Sequence, residues 1–476
     1  MEPPVPALHE RASRAAAHLA AADSVRLVSH DDADGLTSAA IAGTALEWAG
    51  VEVMTEIKHG LDEDAIDELA AASTETVLFT DLGSGGLDRL AHHASTGQFT
   101  PIVVDHHQPV DASIEHFLNP RTVGLDGGRE LAGAGTAYVL ARAMADQIGA
   151  VEGDPRELAA LAVVGAIGDR QTVEGELVGA NQAIAAEGET AGMVESGTDL
   201  AVYGTQTRPL PKLLEYTSDV RIPGITGNRR GAIKFLEELP VPIKDGDRWP
   251  TWTELDPETR TTVASGLMTR AMERGVPSDR IERLVGTRYI LAREEPGTQL
   301  RDASEFSTVL NATARYERSE IGLAVCRGDR EEALEAALEL LREHRMNLSK
   351  GIEWVVETGV RRESHVQWFH ARSEIRDTIV GIVAGMVLGS DGIDRHRPIV
   401  GFADKLAGDG VKVSARAPGR LANRGIDLGQ AMRVSATDVG GEGGGHSMAA
   451  GATVPAGQEP AFLAAVDDVI GAQLDG

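Results

Sequence analysis

The stretch VRLVSHDDADG, residues 25–35, runs along an apolar, β-branched segment and then breaks off into a histidine, three acids and a glycine. A short apolar run bounded by turn residues reads as a buried strand. Leu36–Ala49 then has helical patterning, so a strand end and a helix start meet at the acids. The same punctuation recurs. TVLFTDLGSGG stops at Asp81, PIVVDHHQP stops at Asp105, His106 and His107, and LAVVGAIGDRQ stops at Asp169. Strands are expected at Val25–Ser29, Val51–Ile57, Thr76–Thr80 and Ile102–Val104, with helices between them such as Leu36–Ala49 and Glu63–Ala72. Strand and helix alternating at this spacing predict a doubly wound parallel sheet, in which ligands gather at the carboxyl ends of the strands.

If each apolar run belongs to that one sheet, its acids converge at one edge. Asp32 and Asp34 before a helix would also serve as caps, and a lone Asp81 or Asp169 as a turn residue. Those readings explain each motif singly but not the four together in this architecture. Converging carboxylates repel one another unless a cation sits among them. Aspartate and histidine without thiolates suit Mn²⁺ or Mg²⁺ better than structural zinc. Two such ions bridged by a carboxylate activate water and polarise a phosphoryl oxygen.

The rest of the chain divides by texture. Residues 1–190 are expected to form the α/β domain that carries the acids. From about Gly192 to Glu317 the sequence is rich in Pro, Gly, Arg and Thr, and residues 191–330 are read as a mostly helical connector. Residues 331–476 are read as a smaller second α/β domain. It would open on an amphipathic helix, Arg330–Arg345, with Leu334, Leu338 and Leu341 on one face. Strand Ile352–Val356, helix Ile375–Leu388 and strands Pro398–Ala403 and Val411–Ala415 would follow. The run GGEGGGH, Gly440 to His446, precedes a strand-like AAGATVP. Glycines at Gly443, Gly444 and Gly445 let backbone N–H groups approach a phosphate, and Arg416 and His446 would add side-chain donors.

Composition limits the partners. Of 476 residues 42% are apolar but only 4% aromatic, so Ala, Val, Leu and Gly must fill the cores. The formal net charge is −28. Such an excess argues against holding polyanions through bulk charge and fits a solvated acidic surface suited to a salty cytoplasm, as in halophilic archaea. Any nucleic-acid contact then needs a local basic lane, for which Arg420, Arg424 and Arg433 are candidates. The single cysteine, Cys326, excludes an internal disulfide and fits a reducing compartment. The N-terminus has no signal pattern, and the longest strongly apolar run, Ile379–Leu388, is far short of the ~20 residues of a membrane span. A soluble cytoplasmic protein without membrane contact is expected.

Asp32-Ala33-Asp34, Asp81, Asp105-His106-His107 and Asp169 together resemble the signature of the DHH phosphoesterase family. GGEGGGH resembles the glycine-rich motif of the associated DHHA1-type domain. LLEYTSDVRIPGITG (213–227) and EFSTVLNATAR (305–315) are similar to the archaeal RecJ-like group that includes the GINS-associated nuclease. The resemblance implies one metal at Asp32 and Asp81, with His30 beside them, and a second at Asp34, Asp81, His106 and Asp169. Asp81 would bridge. Asp105 would orient the His106 ring, and His107 would face the scissile phosphate. His30 lies two residues before Asp32, whereas several small-substrate members place this histidine four before.

The implied activity is hydrolysis of single-stranded DNA, with RNA open, in replication or repair. The strand would lie in a cleft between the two α/β domains. A small-substrate phosphodiesterase, acting on oligoribonucleotides, cyclic dinucleotides or phosphoadenosine phosphate, is the alternative that the long connector disfavours. A replisome scaffold, as a partner of GINS, is the other. An inactive relative of the family has that role, but it has lost the metal ligands present here.

Overall fold

The structure, a computed structural model, describes residues 3–72, 74–149, 153–217, 220–390, 392–406, 408, 410–422 and 424–475. It falls into two compact units, Met1–Leu338 and Glu339–Gly476.

The first unit is built on strands β1 (Ser24–His30), β2 (Glu52–Lys58), β3 (Thr76–Thr80), β4 (Thr100–Val104) and β5 (His116–Leu118). Their order is β2-β1-β3-β4-β5, and every pairing is parallel. The four expected strands are present, and β5 adds an edge of three residues that sequence patterning did not mark. In this order the chain leaves β1 to one side for β2 and returns to the other for β3. The resulting switch point between β1 and β3 opens a crevice at the carboxyl edge. His30 ends β1 and Asp81 follows β3, so the two residues straddle it.

Small residues let the covering helices come close. Helices Ala33–Trp48, Gly133–Ile148 and Ala159–Gly168 are almost wholly buried and rich in Ala and Gly. A Cβ on Gly165 would lie 2.5 Å from Ala134 Cβ and 2.6 Å from Asp34 Oδ1, and one on Gly133 would lie 2.5 Å from Asp81 Oδ1. Only glycine fits where these helices pass the acids.

A short hairpin, β6 (Thr172–Val173) and β7 (Glu176–Leu177), follows. The connector is mostly helical, as expected, but β8 (Val194–Leu200) and β9 (Val285–Leu291) bracket it as an antiparallel pair. Its own core gathers Trp252, Phe235, Leu213 and Val263. Helices Ala303–Arg315 and Ser319–Cys326 then return to pack on Ala33–Trp48, and the first of them also on Ala159–Gly168.

The expected strand Ile352–Val356 is a correction. Helix Glu332–Thr358 is continuous through it. Leu348, Ile352 and Val355 are spaced i, i+4, i+7 and face one apolar cluster with Val380 and Val383, so helical period prevails over β-branched composition. The second unit holds β10 (Arg361–Arg362), β11 (Gln367–His370), β12 (Ile399–Asp404), β13 (Val411–Arg416), β14 (Glu442–Gly445) and β15 (Ala449–Val454). They form a six-stranded mixed sheet, β10-β11-β12-β13-β15-β14, in which only β11–β12 is parallel. The expected helix Ile375–Leu388 is confined to Val380–Val387. Among the described residues no helix is long and apolar enough to cross a membrane.

Candidate metal centre

All strands of the first sheet point the same way, so the acids that follow them share its carboxyl edge. Three overlapping groups result, within each of which one ligand atom per residue lies within 4.8 Å of the others. They are His30, Asp32 and Asp81; Asp34, His106 and Asp169; and Asp81, Asp105, His106 and His107. Asp169 ends helix Ala159–Gly168 rather than a strand, yet it reaches the same edge.

Asp81 is 2% exposed, belongs to the first and third groups, and meets the second through His106. Its Oδ2 is 3.6 Å from His30 Nδ1, and its Oδ1 is 3.1 Å from His106 Nε2. Its backbone takes φ 57°, the left-handed region that aspartate tolerates better than most residues. The neighbouring side chains are fixed from behind. Asp32 Oδ1 caps its own helix by accepting from Gly35 N at 3.0 Å, which leaves Oδ2 at 3.2 Å from His30 Nδ1. Asp34 accepts from Gly133 N (2.7 Å) and Ala134 N (2.9 Å), so it caps a different helix from its own. Capping does not exclude a ligand role: the caps hold the carboxylates in place. His106 Nδ1 donates to the Gly127 carbonyl at 2.5 Å, which leaves Nε2 facing Asp81 and Asp34, the latter at 3.6 Å.

The edge is electrostatically strained without a cation. Burial, then the adjacent Asp81 carboxylate, push Asp34 well above the usual carboxylate range. Burial also raises Asp169. At His30 burial opposes the charged ring, but the Asp32 and Asp81 carboxylates outweigh it and push it up to about 12. Burial likewise opposes charge on His106, yet Asp81 and then Asp34 hold it well above the ordinary imidazole value. Moreover, His30 Nδ1 and Asp81 Oδ1 are buried without a hydrogen bond among the described residues. Oxygens and nitrogens converging this closely while unbonded to one another fit a cation, with hard O and N donors of the kind Mn²⁺ and Mg²⁺ take.

Asp105 requires a correction. Its carboxylate, fully buried, accepts from Ser84 N (2.9 Å), His106 N (2.7 Å) and His107 Nδ1 (2.8 Å). It orients the His107 ring, not that of His106, because its Oδ1 also receives the backbone N–H groups at 106 and 107. The Asp105 bond, working against burial, raises His107 above its ordinary value. The His107 side chain is 56% exposed, so the ring is held at one nitrogen and open to solvent elsewhere.

Three neutral amides escaped the sequence reading. Gln171 Nε2 donates to Asp169 Oδ2 (2.8 Å) and to the Gly127 carbonyl (2.7 Å), tying the Asp169 side to the His106 side. Asn119, after β5, donates to the His107 carbonyl at 2.9 Å. Asn311 Oδ1 accepts from Ala33 N at 3.1 Å, so helix Ala303–Arg315 braces the Asp32–Asp34 turn from 278 residues away. No charge or periodicity marks such residues: Gln171 closes the LAVVGAIGDRQ run, where Asp169 is the residue that stands out, and Asn311 lies within the EFSTVLNATAR stretch.

In the second unit the glycine run is strand β14, at the edge of the sheet and paired to β15. Gly443 is enclosed, since a Cβ would meet Met432 O at 2.6 Å, whereas a Cβ on Gly444 would meet nothing within 4 Å. Gly445 takes φ 133°. Arg416, the last residue of β13, pairs in register with Ala449 while Gly445 pairs with Ala450, so Arg416 and the Gly445–His446 turn share one end of the sheet. The Arg416 guanidinium donates to the Ala415 carbonyl at 2.8 Å.

A parallel sheet with acids and histidines at its switch point, followed by a helical insertion and a glycine-edged mixed sheet, defines a DHH-type phosphoesterase fold. The chain carries the domains of DHH-family proteins: residues 24–166 match the DHH family N-terminal domain, 202–285 the DHH-CID domain and 365–472 the DHHA1 domain. An uncharacterized protein of Methanocaldococcus jannaschii is 29% identical over 458 residues, covering 94% of each chain. Among solved structures, RecJ from Thermus thermophilus in complex with Mn²⁺ has a TM-score of 0.61 at 20% identity. The match takes in 99% of this chain and 56% of that longer one. The same RecJ has also been solved with Mg²⁺. CDC45 from Entamoeba histolytica has a TM-score of 0.65 at 11% identity, covering 98% of this chain and 97% of that one.

Proposed function

We propose that this chain is a two-ion phosphodiesterase that hydrolyses single-stranded nucleic acid in the manner of a RecJ-like exonuclease. The observation that carries the reading is Asp81, whose two oxygens face two separate ligand groups while one of them, with His30 Nδ1, lacks a hydrogen bond among the described residues. Asp32, Asp81 and His30 would hold one Mn²⁺ or Mg²⁺ ion, and Asp34, Asp81, His106 and Asp169 the other. Ions so held supply an activated water and polarise the phosphoryl oxygen. The side chains have their own tasks. Asp105 fixes His107 by Nδ1 so that the exposed ring can donate to the scissile phosphate as charge develops there. Gln171 keeps Asp169 and the His106 backing in one arrangement. Gly443 to Gly445, with Arg416 and His446, would offer donors to a phosphate of the bound nucleotide.

The complete ligand set favours catalysis over a purely scaffolding role. A GINS-type partner is an accompanying proposal drawn from the family resemblance. The test is digestion of end-labelled DNA and RNA strands with Mn²⁺, with Mg²⁺ and with chelator. The expected result is stepwise, ion-dependent shortening from one end. Turnover of a dinucleotide with none of a long strand would reject the strand-directed reading in favour of a small-substrate enzyme.

A further inference from the structure

In a chain of net charge −28, residues 203–236 run the other way. They carry Arg208, Lys212, Arg221, Arg229, Arg230 and Lys234 against Glu215 and Asp219. Lys212, Arg221, Arg229 and Arg230 are exposed, and none of them is paired with a carboxylate among the described residues. The segment folds back on itself. Helix Leu210–Glu215 packs on helix Arg229–Glu237, and Gly227 N donates to the Glu215 carbonyl at 2.8 Å. Arg229 and Arg230 are therefore brought to the turn that carries Tyr216.

Tyr216 is the second observation. Of the 5 Trp, 5 Tyr and 8 Phe in the chain, it alone among the described residues has more than half of its surface exposed, at 55%. Its ring is not loose. The Arg208 guanidinium lies 5.4 Å from its centroid and 4.9 Å from that of Tyr203, so the cation links both rings. Gly204 permits this, since at φ 99° a Cβ would lie 2.5 Å from Arg208 Cδ. An exposed ring prefixed by a cation, amid unpaired basic side chains, is the combination that stacks nucleobases and tracks a phosphate backbone.

The loop is also coupled to the metal centre within the first unit. Gln206 N and Thr207 Oγ1 donate to the buried Glu305 carboxylate at 3.0 and 2.7 Å. Glu305 lies on helix Ala303–Arg315, and six residues on, about 9 Å along the axis, Asn311 braces Ala33.

We propose that Tyr216, held by Arg208 and flanked by Lys212, Arg221, Arg229 and Arg230, is a stacking platform for the bases of a single strand outside the scissile nucleotide. This rests on the strand-directed reading above. It assigns the helical insertion a substrate-holding role and makes strand length a determinant of affinity. The platform is sequence-tolerant, because every base has a face to stack.

The test measures binding in chelator, where nothing is cut, to DNA and RNA strands of about 30 nucleotides, well beyond a single-module footprint. A fluorescent base analogue along the strand reports stacking. Tyr216→Ala should weaken binding on the order of tenfold and abolish the fluorescence quench at the stacked position, while Tyr216→Phe keeps both. Changing Arg229 and Arg230 together to Gln should flatten the slope of log affinity against log salt by about 1.4, for two phosphates at about 0.7 each. Dinucleotide turnover with Mn²⁺ should be untouched by Tyr216→Ala. Wild-type affinity and quench in Tyr216→Ala would overturn the platform. So would a patch that captures an acidic protein while all these variants bind strands normally. A chain that cleaves strands with Tyr216 immaterial sinks the platform alone. One that stacks bases on Tyr216 but never cleaves with Mn²⁺ sinks the proposed function alone.

Discussion

The acidic edge of the first unit and the glycine edge of the second are assigned the same substrate but are made of opposite materials. At the acidic edge most of the charged side chains are buried or half-buried, and several are held from behind by backbone N–H groups or a neutral amide: Asp34 by Gly133 and Ala134, Asp105 by Ser84, Asp169 by Gln171. At the glycine edge the side chains are missing, and what is offered is a strand backbone with open space at Gly444. The first arrangement crowds like charges that a bound cation would relieve. The second crowds none, and its tolerance to change is decided by whether a new Cβ has room. Substitutions should therefore separate stability from activity at the two edges in opposite senses.

The largest effect is expected at Asp81. Asp81→Asn removes charge facing both ion groups, so hydrolysis should fall by several orders of magnitude. The same change relieves like-charge crowding with Asp34, so the metal-free variant should melt at or above the wild-type temperature. Mn²⁺ should raise the melting temperature of the wild type, as any ligand of the native state does, but hardly that of the variant. A variant that unfolds without metal would mean Asp81 is structural, and the contrast between the edges would fail.

Asp105→Asn should cost less, about 10–100-fold in turnover, because it acts through the ring it orients. It also carries a pH signature. Asp105 raises His107, so the ring stays charged below that raised value and loses its proton as pH climbs through it. Without the carboxylate the loss comes at lower pH, and the basic limb of the rate profile should move down. An unmoved limb would detach His107 from the chemistry.

The smallest effects should separate adjacent glycines. Gly443→Ala forces a Cβ against the Met432 carbonyl and should destabilise the chain by about 1–3 kcal/mol. Gly444→Ala should change stability by less than about 0.5 kcal/mol, so any drop in its strand turnover reports blocked approach of substrate. Equal stability costs at the two positions would show that β14 is merely packed, not open.

What the sequence made legible was whatever punctuates it. Each acid stands at the end of an apolar run, so the parallel sheet and the clustering of these acids and histidines at its edge could be read together. His30, despite its short spacing to Asp32, falls within the cluster because it closes β1. Where residues lack charge or period the reading stopped. β5 is three residues long, and Gln171, Asn119 and Asn311 are amides whose role exists only in three dimensions. Two corrections have different roots. The β-branched composition of Ile352–Val356 suggests a strand, but the i, i+4, i+7 spacing that links Leu348 to Val355 makes it helix. The family resemblance gives Asp105 to the His106 ring, but a carboxylate receiving both following N–H groups holds the ring two residues on.

The central claim is that one buried carboxylate, Asp81, joins two ion sites. Titration of the metal-free chain with Mn²⁺, followed by calorimetry and by electron paramagnetic resonance, tests it without substrate or turnover. The account predicts two ions per chain whose spins couple through a short bridge, with the coupling lost and both affinities weakened in Asp81→Asn. A single uncoupled ion in the wild type, or two that bind unchanged in Asp81→Asn, would contradict it.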